Sequence, residues 1–256
     1  MIDLHCHLLP AIDDGPADLG GALTLAQAQV DAGVRTVAVT PHVSPTVPTD
    51  AAVIERGVDE LRVALRAAAI PLEITTGAEI DIRSAAEMDD DGLRRLALGG
   101  GAWLLLEAPL TPGLLLESIL STLLLRGHSI LLAHPERSPA LQRDPAAVRR
   151  LVDQGVLMQL TTGGLGGQFG RDVQRFAEQL VDDGLVHTVA SDAHDTRRRP
   201  PGLRAPLERA GLGEHVEVWC QDVPAALLAG ETPPAVPPPA RRRRTDRRGL
   251  RSLLGR

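Results

Sequence analysis

The sequence predicts an α/β protein with parallel strands, folded as a single domain. Seven short segments rich in apolar and β-branched residues alternate with longer segments of helical pattern. Alternation of this kind makes consecutive strands parallel and uses the helices as crossovers, which leads to a barrel or a doubly wound sheet. A chain of 256 residues is long enough for one large domain of this class.

The strands and helices can be placed in order along the chain. Strands are predicted at 1–5, 34–40, 72–80, 103–107, 129–134, 156–160 and 186–191. Helices are predicted at 18–32, 50–69, 113–126, 144–154 and 170–183. Asp18 and Thr111 are suited to begin two of these helices as N-caps, and Gly33 and Gly127 are suited to end two of them.

The composition is typical of a cytoplasmic globular protein. Hydrophobic residues make up 43% of the chain, but aromatic residues only 2%, so Leu, Val and Ala must build the core. Cys6 and Cys220 are too few for a disulfide framework, which fits a reducing compartment. The chain opens with an acid and histidines where a secretory signal needs a basic and then an apolar segment. The most apolar stretch, 114–125, is interrupted by Glu117 and is too short to span a bilayer.

The predicted domain and its C-terminal tail carry net charges of opposite sign. The net charge of the chain is −6, and its last sixteen residues, 241–256, contribute +7 through eight Arg and one Asp, so the preceding part carries −13. An acidic body argues against a nucleic-acid partner. The Pro-rich segment 232–240 ends the predicted domain, 1–231, and the tail, 232–256, is predicted to be disordered. The basic tail could attract anionic lipid, but a solvated terminus is the preferred interpretation.

Two histidines in the first strand raise the question of a metal site. His5 and His7 lie two residues apart, so their side chains point to one face of a strand, with Cys6 on the other. Two imidazoles at this spacing are a common beginning of a metal site. The pair alone is a weak indication, and its weight depends on what other ligand-type residues accompany it.

Further ligand-type residues fall at or just after the ends of the later predicted strands. They are His42, Glu79, Glu107, His134, Asp192 and His194. In a parallel barrel the carboxyl ends of the strands meet at one mouth, where active sites are built. Any one of these residues alone is better explained as a surface or capping residue, but the whole set favours a metal centre. Mixed nitrogen and oxygen ligands suit Mn, Fe or Zn.

Seven motifs surround these residues, in the order HCHLLPAIDDG, TPH, GAEI, LLLE, HPER, QLTTGGLGGQFG and SDAH. They resemble the PHP (polymerase and histidinol phosphatase) superfamily, and within it the CpsB/CapC-type capsular-polysaccharide tyrosine-protein phosphatases. The resemblance spans residues 1 to about 230. It implies a distorted, TIM-like (β/α)7 barrel that holds three divalent metals, usually manganese. It also implies a protein-tyrosine phosphatase that acts on a tyrosine autokinase of capsular or exopolysaccharide synthesis.

The resemblance assigns roles to individual residues. It implies a first metal held by His5, His7, Glu79 and Asp192; a second held by Glu79, Glu107 and His134; and a third held by Asp14, His42 and His194. Arg137, in HPER, would bind the substrate phosphate, and Arg199 is a weaker candidate for the same task. Family members commonly have a second histidine after TPH, where this chain has Val43. The proline-rich segment 44–50 is expected to make the rim of the pocket different from that of other family members.

The ligand set itself predicts hydrolysis by a hydroxide bridged between metals, since paired divalent ions lower the pKa of bound water toward about 7. Neither cysteine lies in the loop that cysteine-dependent phosphatases use. A guanidinium at Arg137 can bind a phosphate through two parallel hydrogen bonds.

Asp13 could assist the departure of the leaving group, but a structural role in the IDDG turn is the preferred interpretation. The four glycines at 163–167 are predicted to shape a loop beside the site.

Two other functions stay open from the sequence. One is a PHP phosphatase of a small phosphomonoester such as histidinol phosphate. The other is a non-catalytic regulatory PHP domain, although an intact ligand set speaks against it. The phosphotyrosine substrate is favoured partly because a tyrosyl phenolate, with a pKa of about 10, leaves with only modest protonation. Homo-oligomerisation and the metal present in the cell are not determined by the sequence.

Overall fold

The computed structural model describes residues 1–110 and 116–236, and in them short parallel strands alternate with helices. The strands are β1 Ile2–Cys6, β2 Thr36–Val39, β3 His42–Val43, β4 Glu73–Thr76, β5 Glu79–Asp81, β6 Trp103–Glu107, β7 Ser129–Ala133, β8 Leu157–Thr161 and β9 Thr188–Ala190. The longer α-helices are α1 Leu19–Asp31, α2 Ala51–Ala67, α5 Leu116–Leu125, α7 Pro145–Asp153 and α9 Arg171–Asp182. All five match predicted helices.

The other helices are short, and the sequence did not predict them. They are α3 Ile82–Glu87, α4 Asp90–Leu96, α6 Pro139–Arg143, α8 Thr162–Leu165, α10 Arg204–Arg209 and α11 Val223–Leu228. Single turns of 3-10 helix span Leu98–Gly100, Pro135–Arg137 and Gly213–His215, and a π-helical turn spans Val218–Asp222. Elements of three to seven residues complete at most two helical turns, so they leave no periodic pattern that could be recognised.

The strands form two parallel sheets. One contains β1-β2-β4, and the other contains β3-β5-β6-β7-β8-β9. The sheets approach each other where β1 ends, since His7 N donates to Ala193 O and Asp192 N donates to His5 O, both at 2.9 Å. The prediction of an α/β domain with parallel strands is confirmed. Among the described residues, however, strand pairing does not run without interruption around a closed barrel.

The chain passes from the first sheet to the second after β4 and again after β2. The predicted strand at 72–80 was wrong as one element, since it divides into β4 and β5 at Gly77. β2 ends before Pro41, which has no backbone N–H to donate to a ladder, and the short strand β3 that follows was not predicted. Both continuations join the second sheet, where His42 pairs with Glu79. Two of the expected metal ligands therefore become cross-strand neighbours.

Local signals at helix ends were predicted correctly where the structure describes them. Asp18 caps α1 by accepting a hydrogen bond from Gly21 N at 2.8 Å. Gly33 and Gly127 follow α1 and α5 with positive φ values of 85° and 89°, a conformation that glycine adopts without strain. Thr111 and the predicted start of its helix at 113 lie outside the described residues.

The core is aliphatic, as the composition predicted. Its main cluster packs Leu, Val, Ile and Ala from the strands against the helices, and a smaller cluster joins residues of β1, β2, β6 and β7 to α11. Val236 is partly buried against both clusters, so packing continues beyond the predicted boundary at 231. The Arg-rich part of the tail lies outside the described residues. None of the described helices is long and apolar enough to cross a membrane.

Candidate metal centre

The nine predicted metal ligands converge where the strands of both sheets end or change sheet. They fall into four overlapping groups in which the ligand-type atoms lie within 4.8 Å of one another. The groups are His7, Asp14, His42 and His194; His5, His134 and Asp192; His5, His7 and Glu79; and His42, Glu79 and Glu107. Residues more than 180 positions apart in the chain thus form one cluster of nitrogen and oxygen donors.

Glu79 lies at the centre of the cluster. Its Oε1 is 2.7 Å from Nε2 of His134. Its Oε2 is 3.2 Å from Nε2 of His5, 3.3 Å from Nε2 of His7 and 3.0 Å from Nδ1 of His42. The side chain is 1% exposed. Burial raises the pKa of this carboxyl, but His5 and His134 outweigh burial and hold the pKa well below its usual range. One carboxylate that faces four imidazoles is suited to bridge two metal ions.

Asp192 faces the same imidazoles from the segment after β9. Its Oδ1 lies 3.4 Å from Nε2 of His5 and 3.5 Å from Nε2 of His7. This buried oxygen, like the buried Nδ1 of His134, has no hydrogen-bond partner in the described part of the chain. Asp192 and His134 also have positive φ values, 53° and 36°. Such backbone strain typically costs about 1–3 kcal/mol and clusters at functional sites.

Asp14, His42 and His194 form the more open side of the cluster. Oδ1 of Asp14 lies 3.1 Å from Nε2 of His194 and 3.5 Å from Nε2 of His42. The hydrogen bond to His194 lowers the pKa of Asp14, so this carboxyl is ionised at neutral pH. Its side chain is 61% exposed and that of His42 is 22% exposed, whereas His194 is buried, so the cluster opens to solvent on the side of Asp14.

Glu107, at the end of β6, completes the set. Burial and the neighbouring Glu79 raise the pKa of this carboxyl to about 8. The structure groups Glu107 with Glu79 and His42, whereas His134 is grouped with His5 and Asp192. The resemblance had placed Glu107 and His134 on one metal, so the grouping by geometry differs from the implied one for these two residues.

Two supporting residues orient His5, in β1, and His7, just after it. Oε1 of Gln159, in β8, lies 3.0 Å from Nδ1 of His5, and Oδ2 of Asp13 lies 2.7 Å from Nδ1 of His7. When Nδ1 of each ring donates to these oxygens, Nε2 is free to bind a metal. Gln159 was not among the predicted site residues. Its position near the end of a strand was the available signal, but glutamine is not itself a metal-type residue.

Asp13 also performs the turn role that the sequence favoured. Its Oδ1 accepts a hydrogen bond from Gly15 N at 3.0 Å, and its Oδ2 accepts one from His42 N at 3.0 Å. Burial raises the pKa of Asp13, but the His7 imidazole outweighs burial and lowers it. The carboxylate is therefore ionised and joins the IDDG turn to both His7 and His42.

The buried carboxylate of Asp3 joins β1 to the segment that carries Asp192. Asp3 accepts hydrogen bonds from Gln29 Nε2 at 2.8 Å, Ser191 N at 3.1 Å and His5 N at 3.3 Å, and it also accepts one from the Ser191 hydroxyl. The side chain is fully buried, and burial raises its pKa. These bonds fix β1 against the residue that precedes Asp192.

Both predicted phosphate-binding arginines reach the cluster. Nη1 of Arg137 donates to Oδ2 of Asp192 at 3.1 Å. Arg199 also donates to Oδ2 of Asp192, and its Nη1 lies 2.8 Å from Nε2 of His194. Two guanidinium groups therefore border the donor cluster on the side of Asp192 and His194, where an anion can contact both.

The three histidines outside the cluster, His128, His187 and His215, lie next to strands or in the core. His128 and His187 directly precede β7 and β9. His215 is 3% exposed and stacks on Trp219 with ring centroids 4.3 Å apart. Cys6 and Cys220 are buried and free.

The donor set fits divalent metal ions. Burial lowers the pKa values of His5 and His7, but Glu79 and Asp192 outweigh it at His5 and Asp13 outweighs it at His7, so both values are raised. The carboxylates thus favour positive charge at these two imidazoles, whereas burial lowers the pKa values of His42, His134 and His194. Together with the unpaired oxygen of Asp192, imidazole and carboxylate donors at these distances match the ligands that Mn, Fe and Zn prefer.

Comparisons with known proteins identify relatives of this chain. The sequence model of a family described as "Capsular polysaccharide synthesis, CpsB/CapC" matches residues 1–211. The chain is 37% identical to the tyrosine-protein phosphatase YwqE of Bacillus subtilis over 202 residues, which cover 78% of this chain and 79% of YwqE. It is 29% identical to the tyrosine-protein phosphatase CpsB of Streptococcus pneumoniae over 211 residues, which cover 80% of this chain and 87% of CpsB.

Comparison with solved structures shows similarity to the same two proteins. A structure from a crystallographic study of YwqE from B. subtilis and CpsB from S. pneumoniae, described as unique metal-dependent tyrosine phosphatases, superposes with a TM-score of 0.83. The match is 33% identical in sequence and covers 93% of this chain and 98% of that one. A β-aspartyl dipeptidase from Fervidobacterium islandicum matches with a TM-score of 0.54 at 13% identity over 89% of this chain and 72% of its own, which shows a related fold only.

Proposed function

The chain belongs to the CpsB/CapC family of capsular polysaccharide synthesis, and from that premise we propose that it is a metal-dependent protein-tyrosine phosphatase. As a phosphoric monoester hydrolase it removes the phosphate from phosphotyrosine. The observation that carries the proposal is the convergence of nine imidazole and carboxylate side chains with two arginines at one mouth.

The finer description of the fold is part of this proposal. The two parallel sheets, joined by hydrogen bonds at the end of β1, are two parts of a distorted TIM-like barrel of the PHP type. The likeness to the YwqE and CpsB structures supports it. In such a barrel the residues at the carboxyl ends of the strands share one mouth.

Manganese is the proposed cofactor, in a cluster of three ions, with Fe or Zn as the other metals that this donor set accepts. The residues that would hold the ions are His5, His7, Asp14, His42, Glu79, Glu107, His134, Asp192 and His194. Divalent ions bound there would activate water and neutralise the charge of the phosphate.

The protein's own residues bind and orient the phosphate. Arg137 can offer two parallel N–H donors to two phosphate oxygens, which a lysine cannot do. Arg199 borders the same space through its contacts with Asp192 and His194. Gln159 and Asp13 hold the rings of His5 and His7 in fixed orientations, so the donor atoms are preorganised before the substrate arrives.

The proposed substrate is a phosphotyrosine protein, a bacterial tyrosine autokinase that regulates capsular or exopolysaccharide synthesis. YwqE and CpsB are named tyrosine-protein phosphatases, and the family is described by capsular polysaccharide synthesis. The proposed location is the cytoplasm, which suits two buried free cysteines. Val236 packs against the core, and the Arg-rich remainder of the predicted tail at 232–256 is proposed to lie outside the catalytic domain.

The test is phosphate release by the full chain with manganese. A phosphotyrosine peptide is compared with a phosphoserine peptide of the same sequence and with histidinol phosphate, with an EDTA control. The proposal expects the highest kcat/KM for the phosphotyrosine peptide and loss of activity in EDTA. Preference for histidinol phosphate would move the function to small-molecule metabolism, and no turnover by a metal-loaded protein would contradict phosphatase activity.

A further inference from the structure

Aromatic side chains are scarce in this protein, and one of the four lies beside the metal centre. The sequence contains two Phe, two Trp and no Tyr. Phe176 and Trp219 are buried in the core, and Trp103 begins β6 at the end opposite to Glu107. Phe169, in contrast, is only partly buried, and it lies in the loop between α8 and α9. A partly exposed aromatic side chain at this position is not explained by core packing.

Phe169 contacts the proposed phosphate-binding arginine directly. The guanidinium carbon of Arg137 lies 4.5 Å from the centroid of the Phe169 ring, within the range of a cation–π contact. The same guanidinium donates through Nη1 to Asp192. Arg137 therefore bridges the Phe169 ring and the donor cluster. The Phe169 ring is therefore the aromatic side chain next to the guanidinium that would bind a phosphate ester.

The loop that carries Phe169 is fixed to the segment that carries Arg137. The buried Oε1 of Glu136 accepts hydrogen bonds from Thr161 N and from the Thr161 hydroxyl, both at 2.9 Å. The Thr161 hydroxyl in turn accepts one from Gly164 N at 2.9 Å. Phe169 and Arg137 are thus held by neighbouring segments that hydrogen bonds join.

Two glycines leave the space that this arrangement needs. A Cβ at Gly163 would lie 3.0 Å from Cε2 of Phe169, and a Cβ at Gly164 would lie 2.6 Å from Oε1 of Glu136. A larger residue at Gly163 would displace the Phe169 ring. A larger residue at Gly164 would displace the carboxylate that anchors the loop.

We propose that Phe169 is a specificity-determining residue, which contacts the aromatic ring of an aryl phosphate ester while Arg137 binds its phosphate. This inference rests on the proposed phosphatase function and deepens it. Aromatic rings attract each other in edge-to-face or offset geometry with centroids about 4.5–7 Å apart. An alkyl ester of phosphate has no ring to make this contact, so Phe169 adds affinity for phosphotyrosine and none for phosphoserine.

The test measures equilibrium binding, so that turnover does not enter. Calorimetric titrations with manganese use two probes: inorganic phosphate, and a peptide that carries a phosphonate analogue of phosphotyrosine which cannot be hydrolysed. The variants are Phe169→Leu and Phe169→Met, which remove the ring, and Phe169→Trp, which keeps one. Leu125→Ala, at a side chain that is 89% exposed on α5, is the control. Thermal unfolding shows which variants are folded.

The expected result is a difference between the two probes. Phe169→Leu and Phe169→Met should raise the Kd of the phosphonate peptide roughly two- to tenfold and change the Kd of phosphate less than twofold. Phe169→Trp and the control should keep both values within about twofold of the wild type. Equal weakening of both probes would show that Phe169 only supports Arg137, and unchanged binding would show no role. Either result overturns the proposal.

The results that would contradict the proposed phosphatase function differ from those that would contradict the role of Phe169. Wild-type protein that binds manganese but releases no phosphate from a phosphotyrosine peptide would contradict the phosphatase assignment. Wild-type protein that releases phosphate and shows no dependence of peptide binding on Phe169 contradicts only the role of this residue.

Discussion

Oδ2 of Asp13 lies 2.7 Å from Nδ1 of His7, and this contact directs Nε2 of the same imidazole toward Glu79, 3.3 Å away. Asp13 also accepts a hydrogen bond from His42 N. One carboxylate in a turn thereby orients two of the proposed ligands. The turn after β1 is part of the metal centre rather than a simple connection.

Asp13→Asn is expected to weaken manganese binding. The variant keeps the shape of the side chain but loses the charge that fixes the tautomer of His7. Loss of such a supporting partner typically lowers metal affinity about 10- to 100-fold. Calorimetric titration with manganese measures the change. Asp50→Asn, at the N-cap of α2, is the matched control because asparagine caps helices equally well; similar affinities for both variants would contradict the orienting role.

Much of the site could be predicted because it depends on strand order. The alternating pattern of strands and helices placed His5, His134 and Asp192 at the ends of parallel strands, and parallel strand ends meet. The ligand-type residues are rare enough that their positions at successive strand ends were informative. The resemblance then supplied Asp14, and it supplied the role of Arg137.

Other features depended on contacts that no local pattern records. Gln159 approaches His5 across 154 positions of the chain. The break at Gly77 lies within a segment predicted as one strand, and it brings Glu79 into register with His42. The contact between Phe169 and Arg137 depends on how two loops pack. Tertiary packing determines each of these relationships, so periodicity and spacing could not reveal them.

Replacing either arginine by lysine is expected to reduce turnover of a phosphotyrosine peptide. Arg137→Lys and Arg199→Lys each keep the charge but lose the two-point contact with a phosphate. A hydrogen bond to a charged group contributes about 1.5–3 kcal/mol, which corresponds to roughly 10- to 100-fold in kcat/KM. Steady-state kinetics with manganese give the ratio. Arg150→Lys, in an exposed ion pair with Glu117, should remain near the wild type; a comparable loss there would deny both arginines a specific role.

Manganese affinity is expected to rise with pH between 6 and 8. The pKa of Glu107 is raised to about 8 by burial and by Glu79, so this carboxyl is protonated below that pH in the metal-free protein. Metal binding must release the proton, and each proton released changes the affinity up to about tenfold per pH unit. Titrations at several pH values in the absence of substrate measure the slope. An affinity that is constant from pH 6 to 8 would contradict the raised pKa.

His187 is expected to make the protein less stable in mild acid. Burial lowers the pKa of this imidazole to about 4, and its Nδ1 accepts a hydrogen bond from Met158 N at 3.1 Å. The unfolded chain, with a pKa of about 6.5, binds the proton first as the pH falls. The stabilising contribution is therefore complete above pH 6.5 and is lost as the pH falls toward 4.

His187→Gln tests this contribution by urea unfolding at pH 7 and pH 5. The free energy of unfolding of the wild type should fall by roughly 1–2 kcal/mol more than that of the variant between these two pH values. The same comparison in the presence of EDTA removes the effect of metal binding. An equal fall in both proteins would mean that His187 titrates normally in the folded state.

The most direct test of the central claim is manganese-dependent phosphate release from a phosphotyrosine peptide by Glu79→Gln. Glu79 faces four imidazoles, so loss of its charge should weaken the whole metal cluster. Glu55→Gln, which alters an exposed ion pair with Arg95, is the matched control. Glu79→Gln should lose at least about 100-fold in kcat/KM and bind less manganese, whereas Glu55→Gln should keep both. Full activity of Glu79→Gln would contradict a metal centre at this cluster.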